Sequence, residues 1–327
     1  MIKGLVLGKF MPLHKGHLAL IHFAAKHCDD LTVLLCHHAA EPIAGSQRLE
    51  WLKAELANEK RISIITLEYN PKQLTDTSDA DPVHAKAWAE KVGTMLPKVD
   101  VFFSSEAYGD AFAAHLGAAH KVFDEARNIV PVSASLIRQK PLTYWDYLPP
   151  AVQPFFVQKI AVLGSESTGK STLTERLACR YNTGFVPEMA RAVIEHTAAC
   201  TGGDLRKIAF AHATEMVKQM AKAAKLLFID TDVNITKSYS RFLFGNELVL
   251  PQWIEDANKC HLYLFLKTDC PYVQDGTRLP AAEREALSKS HLDQLNKASL
   301  SFKIVTGDWN ERWSQSCRLV DDFISEL

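Results

Sequence analysis

Two short strings in this chain place glycines, hydroxyls, imidazoles and a lysine at spacings suited to holding phosphate: Gly8-Lys9-Phe10-Met11-Pro12-Leu13-His14-Lys15-Gly16-His17 and Gly164-Ser165-Glu166-Ser167-Thr168-Gly169-Lys170-Ser171. In the first, His14 and His17 stand one helical turn apart. Paired imidazoles there can donate to the equatorial oxygens of an α-phosphoryl group, where charge builds up during nucleotidyl transfer, without a covalent intermediate. Gly16 lets the backbone approach phosphate, and Pro12 sets the turn that precedes the histidines. The second string satisfies G-x-x-x-x-G-K-[ST] in full. Its backbone N–H groups are expected to cradle a triphosphate, Lys170 to neutralise β- and γ-oxygens, and the Ser171 hydroxyl to ligate Mg²⁺, with Thr172 beside it. A loop of this kind reads only the triphosphate of ATP or a close relative, so other residues must identify the acceptor.

Candidate partners for each string lie further along. Val132-Ser133-Ala134-Ser135-Leu136-Ile137-Arg138 follows a strand-like stretch and a proline, and offers Ser133 and Ser135 to a nucleotide and Arg138 to its β- and γ-phosphates. Leu226-Leu227-Phe228-Ile229-Asp230-Thr231-Asp232 reads as an apolar strand ending in carboxylates, which makes Asp230 the expected metal-side acid. Glu188 and Arg191, in Val186-Pro187-Glu188-Met189-Ala190-Arg191, are expected to hold or deprotonate a ribose hydroxyl and to contact phosphate, with Asp232 a further candidate at the nucleoside. Gln274-Asp275-Gly276-Thr277-Arg278, followed by Glu283-Arg284-Glu285, reads as a lid turn bringing Arg278 onto the phosphates; for Arg284 an exposed charged loop is an equal reading.

These motifs need strand ends and helix starts to carry them, and the pattern supplies both. Strand-like Ile2–Leu7, Leu31–Cys36, Arg61–Leu67 and Val99–Ser104 alternate with helix-like His17–Cys28, Gln47–Leu56 and Val83–Leu96, the order of a parallel, doubly wound sheet. In the first helix Leu18, Ile21, His22 and Ala25 would share one face, leaving Gly16 and His17 at its first turn. The segment Lys140–Pro154, rich in proline and aromatic residues, reads as a junction, dividing the chain into 1–150 and 151–327. A second α/β unit then follows, with strand-like Lys159–Leu163, Leu226–Asp230, His261–Leu266 and Phe302–Val305, and a helix over Thr172–Tyr181. The fold class expected is α/β: an N-terminal Rossmann-like domain plus a C-terminal P-loop domain.

Composition narrows the partners. Lys plus Arg (37) nearly balance Asp plus Glu (38), so no chain-wide basic field recruits nucleic acid or an anionic membrane. Seven scattered cysteines without a C-x-x-C argue against a disulfide framework or zinc site and suit a reducing cytoplasm. No long apolar run suggests export or a membrane span, and composition leaves a homo-oligomer open.

The N-terminal strings resemble nucleotidyltransferases of the H-x-G-H and I-S-x-T-x-x-R type, with Val132 and Ser135 standing where that pattern has Ile and Thr. Phe103-Ser104-Ser105-Glu106-Ala107-Tyr108-Gly109, His115-Leu116-Gly117-Ala118 and Asn128-Ile129-Val130-Pro131 are similar to stretches of NadR-type nicotinamide mononucleotide adenylyltransferases. The glycine loop, V-P-E-x-A-R, F-I-D-T-D, the D-G-x-R turn and Gly307-Asp308-Trp309 are similar to the ribosylnicotinamide kinase domain of the same bifunctional family. The resemblance implies phosphorylation of nicotinamide riboside by ATP, then adenylylation of the mononucleotide by a second ATP to NAD and pyrophosphate, with Mg²⁺ in both steps. It further implies that Ser105 and Glu106, near Tyr108, serve the adenine and ribose side, and that Pro42, Arg48 and Trp51 belong to a shared stretch. Trp88 is a candidate to stack on the pyridinium ring or to pack on its helix face. With the first strand beginning at Ile2, the helix-turn-helix repressor domain of some members is not expected. A nucleotide sensor that has lost activity, or a fusion acting on another nucleoside, would carry the same phosphate motifs.

Overall fold

A computed structural model describes residues 1–74, 82–96, 98–194, 200–275 and 278–327. The chain divides into two compact units, Met1–Gln153 and Pro154–Leu327, separated within the proline-rich stretch.

The first unit is built on five parallel strands, β1 (Lys3–Gly8), β2 (Asp30–His37), β3 (Ile62–Glu68), β4 (Val101–Ser104) and β5 (Ala119–Val122), in the order β3-β2-β1-β4-β5. Helices α1 (Lys15–Ala25), α2 (Gly45–Glu55), α3 (Pro82–Met95), α4 (Gly109–Leu116) and α5 (Ala134–Gln139) connect or follow the strands. One core layer packs Leu5, Leu34 and Phe102 of the sheet against Ala89 and Val92 of α3 and Phe112 of α4. On α1 the fully buried stripe is Leu20, Ile21 and Ala24, so the buried face is rotated from the expected Leu18, Ile21, His22 and Ala25, and His22 is exposed. The residues ahead of Pro131 are not a strand either. The N–H groups of Asn128, Ile129 and Val130 all donate to the Asp124 carboxylate, which takes them out of sheet pairing.

A one-turn helix, α6 (Gln153–Phe156), leads to the second sheet, also parallel: β6 (Gln158–Gly164), β7 (Phe185–Val186), β8 (Leu226–Asp230), β9 (Leu262–Leu266) and β10 (Lys303–Val305), ordered β10-β9-β6-β8-β7. Its helices are α7 (Lys170–Arg180), α8 (Ala190–Val193), α9 (Gly202–Met220), α10 (Val233–Phe244), α11 (Gln252–Ala257), α12 (Arg284–Lys297) and α13 (Trp309–Ser325). Every residue of β8 and β9 is buried, as strands covered on both faces must be. In each unit the first strand ends between neighbours reached by crossovers of opposite sense, and at that point a crevice opens at the strands' carboxyl ends.

Candidate functional sites

In the first unit, Gly8 ends β1 at that crevice and the following residues turn into α1. His14 caps this helix: its Nδ1 accepts from the Gly16 N–H at 3.1 Å, and the His17 Nδ1 accepts from the His14 N–H at 3.3 Å. Because each Nδ1 is an acceptor, the ring proton of each neutral imidazole sits on Nε2. The rings stack at 3.7 Å. Burial, with Arg127 nearby, pushes His14 down to about 3 and, with His14 and Arg127, holds His17 well below the usual range. The motif thus presents two uncharged Nε2–H donors.

A cavity of about 640 Å³ is bordered by Gly8, Lys9, Phe10, His14, His17, Trp88, Ser105, Glu106, Ser133, Ser135 and Arg138, the residues given roles in this half, whereas Pro42, Arg48 and Trp51 do not border it. Some of them have structural employment. Phe10 is buried and sets its ring edge-on to His17 at 5.1 Å. Ser133 caps α5 by accepting from Leu136 N, and Arg138 donates to Ser135 Oγ at 3.1 Å and to the Met11 carbonyl. Trp88 packs edge-on against Tyr69 at 4.9 Å while bordering the cavity. Tyr108 also borders it, its hydroxyl kept protonated by burial.

Two contributions were not assigned from sequence: Arg127 went unnamed, and Arg48 was placed only in a shared stretch without a role. Arg127 borders the cavity, pairs with Glu106 at 3.2 Å and is presented by the loop that Asp124 folds. Arg48 has no exposed surface: it donates to the Lys9 carbonyl at 2.8 Å and to Glu41, whose other oxygen lies 3.0 Å from Lys9 Nζ. Arg48 therefore buttresses the motif from behind. Arg48→Ala is expected to lower the stability of this unit by about 3 kcal/mol, because it strips a buried carboxylate of one partner; a chemical-denaturation midpoint unchanged from the parent chain would refute this.

In the second unit, the loop after β6 is shaped by what holds its carbonyls. Arg284 donates to Glu166 O (3.2 Å) and Ser167 O (3.1 Å), Arg312 to Thr168 O (2.8 Å), and Thr168 Oγ1 and Lys170 Nζ to Ser165 O. With the carbonyls drawn outward, the opposed N–H dipoles are left to the concave side, a setting suited to an anion. Both arginines are buried. Arg284 is accordingly neither an exposed loop residue nor a free lid arginine. Gly169 has φ +83°, and a Cβ there would come 2.1 Å from the Trp309 ring. Gly164 is at φ +145° against the Leu266 carbonyl. Ser165 is buried and donates to the Arg284 carbonyl, while Thr172 is exposed on the first turn of α7.

Asp230 ends β8 near Ser171, and burial together with the Glu188 charge, opposed by Lys170, raises its pKa to about 6. Thr231 follows in the left-handed region at φ 73°, a strained conformation for a β-branched residue. Asp232, its pKa likewise raised to about 6 by burial, spends its oxygens on capping α10: it accepts from Asn234 N, Ile235 N and Asn234 Nδ2. A small cavity of about 70 Å³ is bordered by Glu166, Glu188, His212, Asp232 and Tyr239. Tyr239 donates to Glu166 at 3.2 Å, and burial lowers His212 to about 4, so its ring is neutral. Sequence had no signal for His212 or Tyr239, which lie mid-helix on α9 and α10.

The structure separates the Glu188/Arg191 pair, since Glu188 faces this cavity whereas Arg191 lies 3.7 Å from Asp275. Arg278 pairs with the same Asp275 at 3.0 Å and donates to the Val273 carbonyl, so it is tied into its own turn rather than set over the glycine loop. Gly276 and Thr277 lie outside the described residues. The turn does reach the loop through backbone, with Val273 N donating to Ser167 Oγ and Leu279 N to Glu166. For Mg²⁺, Ser171 and Asp230 form a hard-oxygen pair beside the loop, and the raised Asp230 pKa reports carboxylate charge that a cation would relieve, so these residues fit the ion. Among the described residues no cluster of three His, Cys, Asp or Glu side chains could bind a metal without a nucleotide's help.

Comparison with known proteins aligns with this geometry. A family model described as an AAA domain matches residues 159–312. The trifunctional NAD biosynthesis/regulator protein NadR of Salmonella typhimurium is 30% identical, the alignment covering 99% of this chain and 83% of that protein. A nicotinamide-nucleotide adenylyltransferase of Saccharolobus solfataricus is 28% identical over 32% of this chain and 59% of its own length. Among solved structures, a NadR protein in complex with NAD and AMP-PNP superposes with a TM-score of 0.78 at 20% identity, covering 99% of this chain and 96% of that one.

Proposed function

This chain belongs to the NadR family, and from that premise we propose how its two units divide the synthesis of NAD. The chain is a nicotinamide mononucleotide adenylyltransferase and a ribosylnicotinamide kinase. The observation that carries the division of labour is that each unit holds an intact phosphate motif at the crevice of its own parallel sheet.

In our reading the second unit phosphorylates nicotinamide riboside. Lys170 and the inward N–H groups hold the β- and γ-phosphates, and Glu188 accepts the proton of the attacking ribose hydroxyl. Mg²⁺ would be held by Ser171 and Asp230 and would supply neutralisation of phosphate charge. The small cavity has room for about two waters, so seating a nucleoside there requires the pocket to widen. Arg278 is a phosphate ligand only once released from Asp275, and Arg191 is best read as that turn's ion-pair partner. In the first unit, the mononucleotide phosphate attacks the α-phosphorus of ATP in line and pyrophosphate leaves. His14 and His17 donate Nε2–H to the α-phosphoryl oxygens, Arg138 and Arg127 balance the departing pyrophosphate, Ser105 and Glu106 hold the adenosine side, and Trp88 lies against the pyridinium.

Incubating the purified chain with nicotinamide riboside and Mg-ATP should yield the mononucleotide and then NAD, resolved by liquid chromatography; turnover of neither the riboside nor authentic mononucleotide would sink the reading. Protonation of Asp230 would remove a metal-side charge. Its raised pKa places that loss at neutral-side pH, so kcat/KM for Mg-ATP in the kinase step should fall roughly tenfold per unit below about pH 6. A kinase profile flat from pH 7 to 5 would exclude Asp230 from that role. All seven cysteines are free thiols, which supports placing the protein in the cytoplasm, and no helix among the described residues is long and apolar enough to cross a membrane.

A further inference from the structure

Beside the first cavity, three side chains from three elements form a hydrogen-bonded row that the chemistry above does not use. Ser104, at the end of β4, has its Oγ 2.9 Å from Nε2 of His120 on β5, and His120 Nδ1 lies 2.7 Å from Asp110 Oδ1 in the first turn of α4. Gly109 makes the row possible, since a Cβ there would meet the His120 ring at 2.3 Å and Ser104 Oγ at 2.4 Å. The constellation has the residue types of a serine hydrolase triad. Ser104 is nevertheless only 3% exposed, and its Oγ is folded over its own turn, 3.2 Å from the Glu106 carbonyl and 3.4 Å from the Glu106 N–H. A closed hydroxyl of this kind orients a backbone rather than attacking a substrate.

The Ser104 hydroxyl has one proton and two acceptors in reach, His120 Nε2 and the Glu106 carbonyl. Asp110 decides between them. As acceptor at Nδ1–H it fixes the imidazole tautomer with Nε2 bare, which draws the Ser104 proton to His120 and leaves the Oγ lone pairs to the Glu106 N–H. That choice sets the turn carrying Ser105 and Glu106 to the cavity edge, with Glu106 in turn paired to Arg127.

We propose that Asp110 and His120 are positioning residues for the adenylyl step, holding the Ser104–Glu106 turn in the shape that receives the ribose and adenine side of ATP. This rests on the reading of the first cavity given above. Asp110 is exposed, its side chain 87% accessible, so its replacement tests the row without emptying a core.

The experiment measures NAD formation by the full-length chain at varied ATP and varied mononucleotide, for Asp110→Ala and Asp110→Asn, with riboside phosphorylation by the second unit as internal reference. Asp110→Ala should raise KM for ATP about five- to tenfold, with KM for the mononucleotide and the kinase rate within roughly twofold of the parent chain. Asp110→Asn keeps an acceptor oxygen for Nδ1–H and should recover most of the loss. An unchanged KM for ATP in Asp110→Ala, a rise confined to the mononucleotide, or an Asn variant no better than Ala overturns the inference. Failure of the parent chain to make NAD from mononucleotide and ATP would overturn the reading of the cavity and this inference with it.

Discussion

Lys170→Ala should cut phosphorylation of nicotinamide riboside by about a thousandfold while leaving conversion of mononucleotide to NAD at the parent rate. The Lys170 ammonium is buried, lies 3.0 Å from the Ser165 carbonyl, and is the cation we propose for the triphosphate. Phosphoryl transfer in such sites rests on positioning and charge neutralisation, so deleting that charge removes stabilisation from the transferring group and little from the nucleoside. The adenylyl step is proposed for the other compact unit, Met1–Gln153. Supplying the variant with riboside and then with mononucleotide separates the two cases: NAD from the second feed alone is expected, and loss of both would dismantle the assignment of one step to each unit.

The reciprocal variant, His17→Ala, should slow adenylylation by about a hundred- to a thousandfold, so that riboside and ATP lead to accumulated mononucleotide. His17 also accepts from the His14 N–H in the capping box of α1, and its loss costs the helix start about 1 kcal/mol. His17→Gln discriminates between the two effects, because glutamine at this position can keep the reciprocal cap. If the glutamine variant is as slow as alanine but melts like the parent chain, the imidazole acts on the α-phosphoryl group. Parent-like NAD formation by both variants would remove His17 from the chemistry.

Much of the fold was legible because parallel strands buried on both faces read as apolar runs. Leu226–Asp230 is strand β8 to the residue, and the other strands whose bounds were read agree within a residue or two. The short, exposed strand β5, four residues with none buried, was not legible, whereas the two-residue β7 was read as a strand-like position ahead of Glu188. The helices α9 and α13 went unread in the sequence, although each begins on a reciprocal cap in the structure, Thr201 with Asp204 and Asp308 with Glu311.

Among functional residues the division follows contact order. Gly8 to His17 and Gly164 to Ser171 are contiguous, so residue type and spacing carry their geometry directly, and sequence by itself determined the strand-to-helix setting of these two strings and the family. Tertiary structure alone decided that Arg284 and Arg312 shape the second loop from more than a hundred residues away, that Arg48 and Glu41 brace the first, and that Glu188 borders the small cavity while Arg191 turns to Asp275. A cation's partner is set by which carbonyl or carboxylate packing brings within 3 Å or so, and an exposed arginine and a buried one are spelled alike until the chain has folded.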